Sequence, residues 1–134
     1  EADTGKLVGV GTNGVLRLNN SSAHAEMVAL ALAQSRVGSF TLRANGKVRH
    51  ELFSSCEPCA MCLGATLWSG VSRLVFSAAR EDAARLGFDE GPVFAASYEY
   101  VQQRGVTIVR DRLRSEGAAV LDLYVERGGQ IYNR

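Results

Sequence analysis

The sequence predicts an α/β domain with parallel strand pairs in its sheet. Short apolar stretches of strand character alternate with longer helical runs along the 134 residues. Glycines and Asn-Gly pairs punctuate the junctions. No linker, internal repeat or low-complexity tract divides the chain, so residues 1–134 read as a single domain.

Each element has its own signal. Lys6–Gly14, KLVGVGTNG, alternates apolar residues and ends on Asn13-Gly14, which predicts a strand entering a turn. Asn19–Ser22 is a polar loop with Ser22 placed to cap a helix. Ala23–Gln34 is apolar on nearly every side, as a buried helix is. After an Asn45-Gly46 turn, Val48–Ser55 reads as a strand. Pro58–Gly70 reads as a helix, with proline near its first turn and glycine at its end. Ser72–Ala78 is a strand, Ala96–Gly105 a helix stopped by glycine, Val106–Asp111 a strand and Ala118–Gly129 a helix.

Composition excludes several classes. The chain is 46% hydrophobic and 22% charged, with a net charge of +1. A domain of this length buries roughly two thirds of its unfolded surface and needs no disulfides. No apolar run approaches the ~20 residues a bilayer demands, and no signal peptide is visible. A chain that lives on nucleic acid usually leaves a basic footprint. Here Asp111 and Glu116 break up the arginines from Arg104 to Arg114, which leaves a solvated face. The three cysteines fall within seven residues, a poor disulfide framework, so a reducing cytoplasm is the expected compartment.

Those cysteines carry the chemistry. CEPCAMC places them at positions 56, 59 and 62. Cys59 and Cys62 sit three apart at a helix start, on one face, where the helix N-terminus favours thiolates. Two thiolates and one imidazole leave a fourth position open, the pattern of a catalytic zinc site. Of His24 and His50, His24 is the better third ligand because it opens its helix. Glu26 follows by two residues and shares no helix face with His24, so it serves a water or substrate rather than the ion. A carboxylate there can take a proton from water and return it to a leaving nitrogen. HAE followed by PCAMC is the H-x-E…P-C-x-x-C signature of zinc deaminases. An iron–sulfur cluster normally wants a fourth cysteine. A closed site using Cys56 as well would leave Glu26 unexplained among its apolar neighbours Ala25, Met27, Val28 and Ala29.

SSAHAEMVALALAQ, SCEPCAMCLGATLWSGVSRLVFSA and LGFDEGP together resemble the cytidine deaminase superfamily, and within it the bacterial guanine deaminase branch. The resemblance runs to the terminal GGQIYNR. It implies a three-layer α/β/α fold around a mixed sheet of about five strands, with guanine converted to xanthine and ammonia. It implies zinc on His24, Cys59 and Cys62, with Glu26 as the proton shuttle. Glu90 matches a second proton carrier near the departing amino group, and Asn13 an asparagine that hydrogen-bonds the base. Trp68 matches a pocket-lining aromatic, and the amide of Cys59 the one that meets the attacking oxygen. Asp89, beside Glu90, is a further base-binding candidate, although loops carry such charges routinely. The branch forms homodimers whose C-terminal segment crosses to the partner, which makes Tyr132 a closing residue. The branch also has an N-terminal helix and first strand, which would precede Glu1.

Rival substrates within the same chemistry are ammeline, cytosine and guanosine. RNA or single-stranded DNA would call for a basic, aromatic groove that this composition does not suggest. A different class altogether is a zinc-stabilised module without activity. There Glu26 would be dispensable, whereas in an enzyme it is not.

Overall fold

The computed structural model describes residues 1–43 and 47–133, so the expected Asn45-Gly46 turn lies outside the described residues. β1 (Glu51–Cys56), β2 (Arg73–Ala78) and β3 (Thr107–Val109) form a parallel sheet in the order β1-β2-β3. Leu52 lies opposite Leu74, and Leu74 opposite Ile108. Parallel neighbours need a crossover between them. α3 (Ala60–Ser69) joins β1 to β2, and α4 (Arg80–Ala84) and α5 (Ala95–Gln103) join β2 to β3. α1 (Val15–Leu18) and α2 (Ala25–Val37) precede the sheet, and α6 (Arg114–Glu126) follows it.

Strand alternation divides the sheet into two faces. Leu52, Leu74 and Phe76 pack into one core with Leu30 and Ala33 of α2, Leu63 of α3, and Tyr98 and Val101 of α5. The other face takes α6. Its Gly117 lies so close that a Cβ would stand 2.7 Å from the Ser77 Cβ and 2.9 Å from the Ser55 carbonyl oxygen. Glycine is required there because a side chain would lift α6 off the sheet. Helices on both faces give the expected α/β/α sandwich.

The sheet itself is smaller than expected. Three parallel strands are present among the described residues, not a mixed set of about five. Lys6–Gly14 is not a strand: Leu7 to Thr12 run extended into α1 without joining a ladder. A cleft of about 300 Å³ separates Leu7–Gly9 from Glu51–Phe53, and β1 pairs with β2 alone. Alternating apolar residues suit a pleated surface, but a strand also needs a neighbour within reach. The segment is seated on α2 instead, where a Cβ on Gly11 would overlap the Ala25 carbonyl.

Helix boundaries also shift. His24 rather than Ser22 is the N-cap of α2, because the Ser22 hydroxyl turns back to donate to Asn20 at 2.7 Å. α6 begins at Arg114, ahead of the expected Ala118. The short helices α1 and α4 had no periodic signal of their own.

Candidate metal centre and active site

Two helix N-termini converge on one point. His24 and Cys59 are the N-caps of α2 and α3, both extended, with ψ of 155° and 171°. An extended cap turns its side chain off the helix face and across the helix end. Cys62 lies one turn into α3, and its amide donates to Cys59 Sγ at 3.4 Å. The donor atoms of His24, Cys59 and Cys62 all lie within 4.8 Å of one another. Zinc bonds of ~2.0–2.3 Å set tetrahedral ligand atoms about 3.5 Å apart, and Cys59 Sγ stands 3.5 Å from His24 Nδ1. Two soft thiol donors and an imidazole suit zinc by type as well as by distance. Cys56 is not in the cluster.

The electrostatics favour thiolate at Cys59. A hydrogen bond from Cys62, reinforced by one from His24, pulls the Cys59 thiol down to about 4. The same hydrogen bond to Cys59, with burial, holds the Cys62 thiol up, so the pair shares one proton. The bond to Cys59 also raises His24. Burial, with the Glu90 charge nearby, pushes Cys56 up to about 12, an inert thiol.

Glu26 is the second residue of α2 and accepts from Ser54 Oγ of β1 at 3.3 Å. Burial raises its carboxyl, and the Cys59 thiolate adds to the rise. Glu90 sits on the loop after α4, and its carbonyl accepts the Ala60 amide at 2.9 Å. Burial first, and Cys59 second, push its carboxyl up to about 7. The two carboxylates share a cavity of about 400 Å³ with Asn13, His24, Cys56 and Tyr132.

The other expected residues divide. Asn13 is at the cavity, where its Nδ2 donates to the Tyr132 hydroxyl at 2.6 Å and its Oδ1 accepts the Val15 amide at 3.1 Å. Tyr132 packs edge-on to Phe88 and His24. In this structure the tail that the resemblance places on a partner's site lies over the site of its own chain. Asp89 fastens that tail: its amide donates to the Asn133 carbonyl at 2.7 Å, and Asn133 Nδ2 donates to its carbonyl at 2.6 Å. Its carboxylate turns away to the Gly91 amide at 2.8 Å and lines no part of the cavity. Trp68 is not brought to the site either. It stands near the end of α3, 79% exposed, and is not among the residues that line the cavity.

Several lining residues had been given no role. Ser54 holds Glu26, and Phe88 and Tyr124 form an aromatic wall with Tyr132. Strand alternation could have flagged Ser54 and Cys56 as sharing a face. Phe88 lies within LGFDEGP, which could have flagged it, whereas nothing local marks Tyr124.

A soft donor set held at two helix N-termini beside a half-buried carboxylate defines a metal-dependent deaminase-type site. Residues 2–78 match the cytidine and deoxycytidylate deaminase zinc-binding region, and the chain belongs to that family. It is 32% identical over 102 residues to the guanine deaminase of Bacillus subtilis, covering 76% of this chain and 62% of that protein's length. It is 31% identical over 116 residues to a tRNA-specific adenosine deaminase of Buchnera aphidicola, covering 87% of this chain and 70% of that one. A crystal structure of a mutant NE0047 in complex with 8-azaguanine superposes with a TM-score of 0.91 at 41% identity, covering 95% of this chain and 69% of that one. The guanine deaminase from Nitrosomonas europaea gives 0.82 at 42% identity, covering 85% and 63%.

Proposed function

We propose that this chain is a zinc-dependent hydrolase that deaminates guanine, giving xanthine and ammonia. The observation that carries this reading is the half-buried Glu26 carboxylate, which shares one cavity with His24, Asn13 and Glu90. The likeness to guanine deaminases, one structure of the group holding 8-azaguanine, supports the substrate. The chain spans 62% of the Bacillus enzyme's length.

Zinc on His24, Cys59 and Cys62 would supply the Lewis acidity that makes water a nucleophile near neutral pH. This chain's residues do the rest. Asn13 holds the base in the plane of its edge once its amide is released from Tyr132. Glu26 takes a proton from the attacking water and passes it to the ring nitrogen. The C2–N bond then breaks as Glu90, poised between its two protonation states, hands the departing amino group a proton to release ammonia, and the remaining proton of the new C2 hydroxyl restores Glu90 and leaves the carbonyl of xanthine. The Cys59 amide meets the attacking oxygen at the start of α3. Tyr132 and the aromatic wall exclude bulk water, which strengthens these contacts.

A homodimer fits the same reading. Met61 and Trp68 lie two helical turns apart on one exposed face of α3, an apolar surface that a second copy would cover. Free thiols throughout suit a cytoplasmic setting. Among the described residues no helix is long and apolar enough to cross a membrane. A tRNA adenine is the competing substrate raised by the Buchnera relative. Among the described lining residues, however, only Arg17 is a permanent cation.

The test is conversion of guanine to xanthine followed by ultraviolet absorbance, with Glu26→Gln as control and ammeline, cytosine, guanosine and an anticodon stem-loop as alternatives. Turnover of guanine by the wild type alone supports the assignment. Turnover of another substrate, or equal rates with Glu26→Gln, overturns it.

A further inference from the structure

We propose that Arg80 is a positioning residue: its guanidinium clasps the loop that carries Glu90 and so fixes that carboxylate against the metal-binding turn. This deepens the deaminase reading and rests on it for the catalytic consequence alone.

The clasp is built from two sides. Arg80 Nη2 donates to the Glu90 carbonyl at 3.4 Å and Nη1 to the Val93 carbonyl at 3.3 Å. The loop from Glu90 to Val93 is thereby held by one planar group. Its carbonyls are matched by a fork of fixed geometry, which a lysine cannot offer. The Glu90 carbonyl also accepts the Ala60 amide, and Ala60 directly follows the metal ligand Cys59. One oxygen therefore joins the Glu90 loop to both Arg80 and the first turn of α3.

Arg80 is itself anchored. Its backbone amide donates to Glu57 Oε2 at 2.9 Å. Glu57 is 8% exposed and lies two residues before Cys59, in the turn between β1 and α3. The other carboxylate oxygen accepts the Tyr98 hydroxyl at 2.6 Å and Arg110 Nη1 at 3.3 Å. The Arg110 guanidinium lies 3.9 Å from the centroid of the Tyr98 ring. Glu57 thus ties the ligand turn to α4, α5 and the end of β3. Arg80 carries that order on to Glu90. Neither Arg80 nor Arg110 lines the cavity, so neither touches the substrate. A buried carboxylate with every oxygen satisfied keeps one arrangement, since losing a partner would strand a charge.

The experiment has two independent readouts on the full chain loaded with zinc. The first is amide hydrogen exchange in wild type and Arg80→Gln. That substitution leaves the Arg80 backbone bond to Glu57 in place and removes only the fork. The Ala60 amide should exchange at least about tenfold faster, with the Cys62 amide and the zinc content unchanged. Unchanged exchange at Ala60 overturns the clasp, whatever the activity. The second is a double-mutant cycle on guanine turnover. Arg80→Gln should lower kcat about tenfold with KM little changed, and should cost nothing further in a Glu90→Gln background. Arg80→Lys, which reaches one carbonyl, should recover part of the loss. Additive losses show that Arg80 does not act through Glu90 and overturn its positioning role. A wild type inactive on guanine overturns the substrate reading, while the exchange result still decides the clasp.

Discussion

The side-chain amide of Asn13 donates to the hydroxyl of Tyr132 at 2.6 Å, across a sequence separation of 119 residues. The bond joins the base-binding candidate to the proposed closing residue, and a base held by Asn13 would compete with the tyrosine for that amide. Tyr132→Phe removes the competitor and one exposed hydrogen bond, worth ~1 kcal/mol. KM should change by less than about tenfold with kcat nearly kept. Asn13→Ala also removes the acceptor for the Val15 amide, and kcat/KM should fall by at least about tenfold. Steady-state kinetics on the two variants check this order, and a larger loss in Tyr132→Phe would refute it.

Glu26 is the proposed proton shuttle. Glu26→Gln keeps the shape and the Ser54 contact but cannot carry a proton. The loss in kcat should be roughly 10²–10⁴-fold. Zinc content, measured by elemental analysis, should stay at about one per chain. Loss of metal together with activity would make Glu26 a ligand instead.

The raised carboxyls set a pH dependence in the zinc-free protein. Glu90 is held at about 7 against an ordinary 4.5. Between those values the folded chain binds more protons than the unfolded one. Stability from this group is therefore greatest below pH 4.5 and is lost as pH rises towards 7. Glu26 is raised as well and acts in the same direction. Thermal unfolding of wild type and Glu90→Gln across this range isolates the Glu90 share. The variant should lose less stability with rising pH, and parallel curves would contradict the assignment.

The thiols differ in role although they share seven residues of sequence. Cys59→Ser or Cys62→Ser should abolish zinc binding and lower the melting temperature, because metal binding is coupled to the folded state. Cys56→Ser should bind zinc normally, since Cys56 lies outside the donor cluster. Zinc stoichiometry after dialysis separates Cys56 from the other two.

Trp68 provides a contrast. Trp68→Ala should leave kcat/KM of the chain within about twofold, as an exposed residue remote from the cavity would. Its effect belongs in sedimentation experiments, where Trp68→Lys should favour the monomer if α3 is the dimer face.

The metal set was legible because its determinants are local. Cys59 and Cys62 share a helix start, and His24 precedes Glu26 by two residues, so spacing alone fixes their geometry. Glu90 came from resemblance, since nothing in FDEGP shows that the loop folds over α3. Trp68 also came from resemblance, and it lies outside the cavity lining because a helix-end aromatic carries no mark of which side it faces. The strand expected at Lys6–Gly14 failed because alternation reports only a pleated habit, and pairing depends on what lies alongside. Phe88 and Tyr124 meet Tyr132 through tertiary packing, which no local pattern encodes.

Gly11 rests directly on the first turn of α2, the helix that also begins at His24 and carries Glu26. Asn13 lies two residues further on. The proposed base-holding group, the imidazole and the proposed proton shuttle are therefore all anchored at one helix start. A methyl group at position 11 would act as a lever instead, prising Asn13 away while leaving His24 and Glu26 where they stand.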